Sequence, residues 1–223
     1  IVGENGLISP EMEGPLPGER PAPVNRDFAD DFSQDRFSLH YNFLRNPSME
    51  NYVRDTAKRK LILRGTSTTI NEMASPTWIG VRQKGFETVS VADVSLLDAV
   101  QGMRAGLTAY YNDSYHYEIY LSREMDRWKV CLAKHIHDIF TVTASAEIPA
   151  AENVKLRIVS DKTYYRFSYS LVGETFVELG SGLTVGLCTE STRNMTFTGT
   201  YIGMFAENGC AAFENFHVKV LDC

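Results

Sequence analysis

The chain has 223 residues, of which 43% are hydrophobic and 22% are charged, and its net charge is −6 at neutral pH. This acidic balance argues against nucleic-acid binding, which needs a basic face. The sequence contains no apolar run of the roughly 18 residues needed to span a bilayer. Its length and composition fit a globular protein of one large β domain or two small ones.

Residues 1–25 differ in composition from the rest of the chain. They hold five of the eight prolines and four glycines, and no hydrophobic period persists there. Proline fixes φ and removes a backbone donor, so this segment is predicted to be an extended linker. The first residues also lack the basic and apolar regions of a signal peptide. We therefore expect a piece of a longer protein, with a linker at residues 1–25 and a globular domain at residues 26–223.

From residue 26 onward, short segments rich in aromatic and β-branched residues are separated by polar turns. Many alternate apolar and polar residues at period two, which is typical of half-buried strands, and no 12-residue stretch has helical periodicity. The predicted strands, with a hairpin at 106–124, lie at residues 39–43, 61–64, 78–81, 86–91, 106–124, 128–132, 139–143, 154–159, 165–171, 176–179, 197–205 and 213–221. This spacing predicts an all-β fold, an antiparallel two-sheet β-sandwich.

The hairpin at residues 106–124 is the most distinctive of these segments. Two alternating, tyrosine-rich runs flank the polar turn 112–114, so one aromatic face is expected in the core and the other needs an explanation. Exposed aromatic rings that stack on sugars are one explanation, and tyrosines that fill a sandwich core are the favoured one. The aromatic residues in question are Tyr110, Tyr115, Tyr117, Tyr120, Tyr164, Tyr165, Tyr169, Tyr201, Trp78 and Trp128.

Candidate catalytic groups are sparse. Some sandwich glycosidases place paired carboxylates on one strand face, and the nearest match is Glu124 with Asp126. A third acid is missing from that string, so we expect a solvated hairpin end. His135 and His137 could face a metal from one strand, but exposed strand histidines are the favoured interpretation. The sequence has neither a Gly-rich phosphate loop nor a recognisable nucleophile elbow.

Acidic and amide side chains near both ends of the domain could form a metal site. Asp30, Asp31, Glu214 and Asn215 would meet if the first and last strands paired, and their oxygens could hold a structural calcium ion. Surface turn acids are the favoured interpretation, and no cofactor is expected.

The four cysteines, Cys131, Cys188, Cys210 and Cys223, are widely spaced and form no C-x-x-C motif. Free thiols of an intracellular protein are favoured over disulfides. The expected location is therefore the cytoplasm, with secretion as the alternative.

Several strings, in order along the chain, resemble the C-terminal β-sandwich of family 43 glycoside hydrolases, the bacterial β-xylosidases. The resemblance covers residues 26–221, and the strings are DDFSQDRFSLHYNFLRNP at 30–47, SPTWIGVRQ at 75–83, GLTAYYNDSYHYEIYLSRE at 106–124, RFSYSL at 166–171 and FTGTYIGMFA at 197–206.

The resemblance implies a concanavalin A-like jelly roll that packs on a catalytic five-bladed propeller of the same parent chain. In that family the propeller carries the catalytic acids and removes xylose or arabinose units from short xylan chains, and a phenylalanine from the sandwich helps to close its pocket. The matching position is Phe197. The implied function is thus an accessory domain without catalytic residues, which meets xylo-oligosaccharide through the propeller and could form a homo-oligomer. An independent carbohydrate-binding module and a purely structural interaction domain are the alternatives.

Overall fold

The computed structural model describes residues 25–98, 100–125, 127–192 and 198–221. Two antiparallel sheets make up the fold, which confirms the predicted β-sandwich. Within the described residues, no helix has the length and apolar character that crossing a membrane requires. The linker predicted at residues 1–25 lies outside the described part, except for Asn25.

Fifteen strands form in the described chain, with two short 3-10 turns, Met49–Asn51 and Thr184–Leu187. The strands are β1 (Phe28–Asp30), β2 (Tyr41–Phe43), β3 (Tyr52–Asp55), β4 (Lys60–Gly65), β5 (Trp78–Arg82), β6 (Thr88–Leu96), β7 (Arg104–Asn112), β8 (Tyr115–Glu124), β9 (Arg127–Ile136), β10 (Ile139–Ile148), β11 (Val154–Ser160), β12 (Tyr164–Ser170), β13 (Val177–Leu183), β14 (Tyr201–Glu207) and β15 (Gly209–Val220).

The eight-stranded sheet has the order β13-β12-β11-β6-β15-β4-β3, with β1 also paired to β15. The seven-stranded sheet has the order β10-β9-β8-β7-β14-β5-β2. In each sheet a late strand sits among early ones, since β15 lies between β6 and β4 and β14 lies between β7 and β5. The sandwich is therefore built from contacts between residues that are far apart in sequence.

Alternating side chains form the core between the sheets. Strand β11 is a clear case, because Val154, Leu156 and Ile158 are buried while the residues that follow each of them are only partly buried. Phe167, Phe213 and Phe216 are fully buried in the same cluster. Burying side chains of this size removes water from large apolar surfaces, which is the main force that holds two sheets together.

A second, smaller apolar cluster covers the opposite face of the seven-stranded sheet, and we call it the outer-face cluster. Trp78 is its centre, and its indole N–H donates a hydrogen bond of 2.9 Å to Thr108 Oγ1. Gly203 makes room for this indole, because a Cβ at that position would lie 2.3 Å from the Trp78 ring. The buried members are Ile70, Trp78, Tyr110, Tyr120, Cys131, Ala133 and Phe205.

The hairpin tyrosines divide between these two clusters. Tyr111, Tyr115 and Tyr117 point into the core between the sheets, and Tyr110 and Tyr120 belong to the outer-face cluster. All five are buried. The favoured interpretation, tyrosines that fill the interior, therefore describes this hairpin.

Three cysteines lie in the described part of the chain. Cys131 is buried, Cys188 and Cys210 are partly buried, and all three are free thiols. Cys223 lies outside the described residues.

Candidate functional site

One end of the sandwich gathers five connections, and we call it the loop end. Its connections are the loop 83–87, the turns 112–114, 137–138 and 161–163, and the long segment 184–200 between β13 and β14. Backbone hydrogen bonds tie neighbouring connections together, since His137 N–H donates to Ser114 O at 2.8 Å and Thr184 N–H donates to Thr163 O at 2.9 Å.

Phe197 belongs to the longest connection of the loop end, but it lies outside the described residues, which stop at Thr192 and resume at Thr198. The described residues on both sides of this gap are held in place by hydrogen bonds. Tyr111 Oη and Thr189 Oγ1 share one of 2.9 Å, and Thr200 Oγ1 donates to the Leu187 carbonyl at 3.1 Å. The sandwich therefore fixes both approaches to the segment that carries Phe197.

A cleft of about 390 Å³ lies on one side of this segment. Tyr165 forms its inner wall and donates a hydrogen bond of 2.9 Å from its hydroxyl to Gln83 Oε1. Gln83 in turn donates from Nε2 to Ser160 Oγ at 3.1 Å. Burial raises the pKa of Tyr165 to about 12, so its hydroxyl stays a neutral donor. Lys84 and Glu190 are the charged residues of its lining, and Phe86 and Leu187 add apolar surface to the uncharged polar groups.

A second pocket, of about 300 Å³, lies over the outer face of the seven-stranded sheet. We call it the outer pocket. Thr198, the first described residue after Phe197, is part of its lining. Trp78, Tyr110 and Tyr201 supply aromatic surface, and Arg45 supplies a charged group. The described residues on either side of the Phe197 segment thus contribute to two concave surfaces.

The described chain also enters the domain at the loop end. Arg26 donates from Nη1 to the Lys84 carbonyl at 3.2 Å, and the Val220 N–H donates to Asp27 Oδ1 at 2.8 Å. The first described residues of the chain are therefore attached at the loop end.

Exposed apolar side chains surround the loop end. Ile139 is 63% exposed, Phe86 is 56% exposed and Val185 is 53% exposed. Phe86 and Val185 lie within connections of the loop end, and Ile139 directly follows one of them. Contact with another protein surface would remove this apolar area from water.

Sequence reasoning did not find a buried charged network at the opposite end of the outer face. Arg104 on β7 lies between Glu118 on β8 and Glu207 on β14, and it forms an ion pair with Glu118. Its nitrogen Nε is 3.6 Å from Glu207 Oε2. Its guanidinium carbon lies 4.3 Å from the ring centroid of Tyr120, a cation–π arrangement.

The pKa values of the two carboxylates in this network are shifted in opposite directions. Burial acts to raise the pKa of Glu118, but Arg104 and His116 outweigh it and hold that pKa below its ordinary value. Burial raises the pKa of Glu207 to about 7, against the attraction of Arg104. Glu207 also accepts the Ile70 N–H at 3.0 Å, so the network anchors the loop that precedes β5.

The two histidines considered as metal ligands do not act together. His135 lies near the end of β9 and is partly buried, with its ring 5.1 Å from that of His116 in an edge-on arrangement. His137 follows the end of β9 in a turn and stacks on Tyr115 at 6.3 Å. Among the described residues, no group of three or more histidine, cysteine or acidic side chains is arranged to hold a metal ion.

The two ends of the domain do meet as the calcium hypothesis required, because β1 pairs with β15. Asp30 accepts two hydrogen bonds from Arg54, at 2.9 and 3.0 Å, and one from Tyr41. Glu214 pairs with Lys60 at 2.9 Å. A calcium site stays a prediction, and its carboxylates already have cationic partners in this structure.

The paired-acid candidate at the β8–β9 turn is also accounted for. Glu124 ends β8, is exposed and pairs with Lys129. Asp126 lies outside the described residues. Glu124 therefore lies at a solvated hairpin end, as expected.

The sequence family described as "Beta xylosidase C-terminal Concanavalin A-like domain" matches residues 29–219. A non-reducing end alpha-L-arabinofuranosidase of Bacteroides ovatus is 28% identical over 228 aligned positions, which cover 99% of this chain and 42% of that protein. A putative beta-xylosidase of Escherichia coli is 26% identical, over 92% of this chain and 40% of that protein.

Solved structures of family 43 proteins also match the fold of this chain. A Bacteroides ovatus family 43 protein from a xyloglucan utilisation locus superposes with a TM-score of 0.80 at 26% identity, covering 98% of this chain and 44% of its own. A xylan beta-1,4-xylosidase from Bacillus halodurans has a TM-score of 0.79 at 20% identity, covering 95% of this chain and 41% of its own, and at that identity it shows the fold alone. The chain thus spans about two fifths of the length of its relatives.

Proposed function

Since the chain belongs to the family of β-xylosidase C-terminal concanavalin A-like domains, we propose that it packs on the catalytic propeller of a xylosidase or arabinofuranosidase and helps to close its substrate pocket. The chain is the C-terminal domain of a glycoside hydrolase. The relatives are more than twice as long as this chain, which leaves room in such proteins for a separate catalytic domain.

The arrangement of the loop end carries the proposal. The described flanks of the Phe197 segment, the two concave surfaces that they help to line and the entry of the chain at Arg26 all occur at this end of the sandwich. A catalytic domain that precedes residue 26 can therefore reach this side over a short distance. The exposed apolar residues around the loop end are suited to such a contact.

Phe197 would act as an apolar lid at the mouth of the catalytic pocket. An aromatic ring at a pocket rim excludes water and stacks on the C–H face of a sugar, and both effects favour glycoside hydrolysis. The sandwich would position this residue through the anchored flanks at Thr189 and Thr200.

An independent carbohydrate-binding module is not favoured. Such a module needs an open aromatic face, whereas the hairpin tyrosines are buried in two clusters. In calorimetry, tight binding of xylo-oligosaccharide by this chain alone would support the module. Hydrolysis of nitrophenyl xyloside by this chain alone would contradict both functions.

The decisive test is F197A in the full enzyme that contains this chain. We expect kcat/KM on nitrophenyl xyloside or nitrophenyl arabinofuranoside to fall by about tenfold, while the melting temperature stays unchanged. M73A is the control, because Met73 is an apolar residue that is 76% exposed in the loop 66–77, away from the loop end. A change in stability without a change in kcat/KM would mean that the domain is purely structural.

A further inference from the structure

The outer pocket has the composition of a site for a neutral ring compound. The Trp78 ring lies 5.3 Å from that of Tyr110 and 6.2 Å from that of Tyr201, so the three rings form one continuous apolar wall. Trp78 is almost fully buried at the base, and Tyr201 is partly exposed. A ring that enters the pocket would meet the Tyr201 side of this wall.

Three polar groups at the pocket have no partner of their own. Within the described residues, the Arg45 guanidinium, the Asp113 carboxylate and the Tyr110 hydroxyl make no hydrogen bond, and the two charged groups form no ion pair. Asn42 and Thr198 add exposed polar groups at the rim. The pocket therefore offers donors and acceptors that are free to bind a ligand.

The two charges lie close to the same hydroxyl. Burial raises the pKa of Tyr110, Asp113 raises it further, and Arg45 opposes them. The guanidinium and the carboxylate, which both line the pocket, together give it no net charge. An anion would be repelled by Asp113 and a cation by Arg45, whereas a polyhydroxylated neutral molecule can use both groups.

The volume of about 300 Å³ accommodates one sugar ring with its hydroxyls. Carboxylates accept hydrogen bonds from adjacent hydroxyls, guanidinium groups donate to them, and aromatic rings pack against the C–H face of the sugar. Thr198 in the pocket lining directly follows Phe197, so the pocket borders the segment proposed to reach the catalytic mouth.

We propose that the outer pocket is an accessory subsite that holds a pentose unit of the oligosaccharide, at the end remote from the bond that is cleaved. This inference rests on the proposed function, because the rest of the substrate lies in the catalytic domain. It differs from an independent binding module, since one subsite contributes only when the catalytic pocket holds the other end of the same chain.

The test compares a long and a short substrate of the full enzyme. For the sugar that the enzyme cleaves, the pair is xylotriose with nitrophenyl β-xyloside or arabinotriose with nitrophenyl α-arabinofuranoside. We expect D113A to lower kcat/KM on the trisaccharide by about tenfold, mainly through KM, and to change it less than twofold on the nitrophenyl glycoside. Y110F, which removes only the hydroxyl, should act in the same direction.

D138A is the matched control, because Asp138 is an exposed aspartate in the β9–β10 turn of the loop end and does not line the pocket. Equal effects of D113A on the two substrates, or equal effects of D113A and D138A, would overturn the subsite. The proposed function is tested separately by F197A on the nitrophenyl glycoside. If kcat/KM is unchanged in D113A but lowered in F197A, only the subsite proposal is refuted. If kcat/KM is unchanged in F197A, the proposed function is refuted.

Discussion

Glu207 gives the stability of this domain a pH dependence that one substitution should remove. Its carboxyl is almost fully buried, and burial raises its pKa from 4.5 to about 7 in spite of Arg104. The folded state therefore holds this proton more tightly than the unfolded chain does. The resulting stabilisation is complete below about pH 4.5 and is lost as the pH rises through about 7.

The size of the effect follows from the difference between the two pKa values. At about 1.4 kcal/mol for each tenfold change, the rise from 4.5 to about 7 corresponds to about 3.5 kcal/mol of unfolding free energy over the whole titration. E207Q keeps an acceptor for the Ile70 N–H but cannot titrate. The free energy of unfolding of E207Q relative to wild type should therefore rise by about 2 to 3 kcal/mol between about pH 5 and pH 8.5.

Urea unfolding followed by tryptophan fluorescence measures this difference at each pH. E152Q is the control, because Glu152 is an exposed acid in the loop between β10 and β11 and its substitution removes one surface charge only. A constant difference between E207Q and wild type over this pH range would refute the reasoning. It would mean that Arg104 compensates the Glu207 carboxylate fully.

Two further substitutions test the packing of the sandwich. G203A should destabilise the domain by about 2 to 4 kcal/mol in urea unfolding, because the new Cβ would lie 2.3 Å from the fully packed Trp78 ring, and an unchanged midpoint would contradict that packing. R54M should cost about 3 to 5 kcal/mol, since it leaves the mostly buried Asp30 carboxylate without its cation. R59M is the control, because the Arg59 side chain is 68% exposed, and it should change stability by less than about 0.5 kcal/mol. Similar losses in both variants would refute a special role for the Arg54 pair.

The sequence predicted the strands that alternate clearly and missed those that do not. Strand β11 repeats apolar residues at every second position, and its bounds were predicted almost to the residue. Strands β1 and β3 were not predicted, because they are three and four residues long and contain charged residues. They form strands only because β15 and β4 offer them an edge to pair with. The strand predicted from residue 197 begins at Tyr201 instead.

The candidate site was predictable only in part. The resemblance of the sequence to a known family indicated Phe197, but the outer pocket joins residues from four separate segments that the strand order brings together. The charged network was also unpredictable from sequence. Its members, Arg104, Glu118 and Glu207, become neighbours only because β7 lies between β8 and β14. The sequence did contain one signal that the outer face of this sheet is covered. The outward positions of these strands include Thr108, Tyr120 and Phe205, whereas polar or charged side chains are usual on a solvated face.

The central position of β15 has a consequence for how the protein is made. This strand pairs with β6, β4 and β1, so the eight-stranded sheet cannot close until residues 209–220 have left the ribosome. Until then, the strands that will flank β15 have open edges and uncovered apolar faces. Folding of this domain should therefore follow its synthesis rather than accompany it, and the nascent chain will expose these edges for as long as β15 is missing.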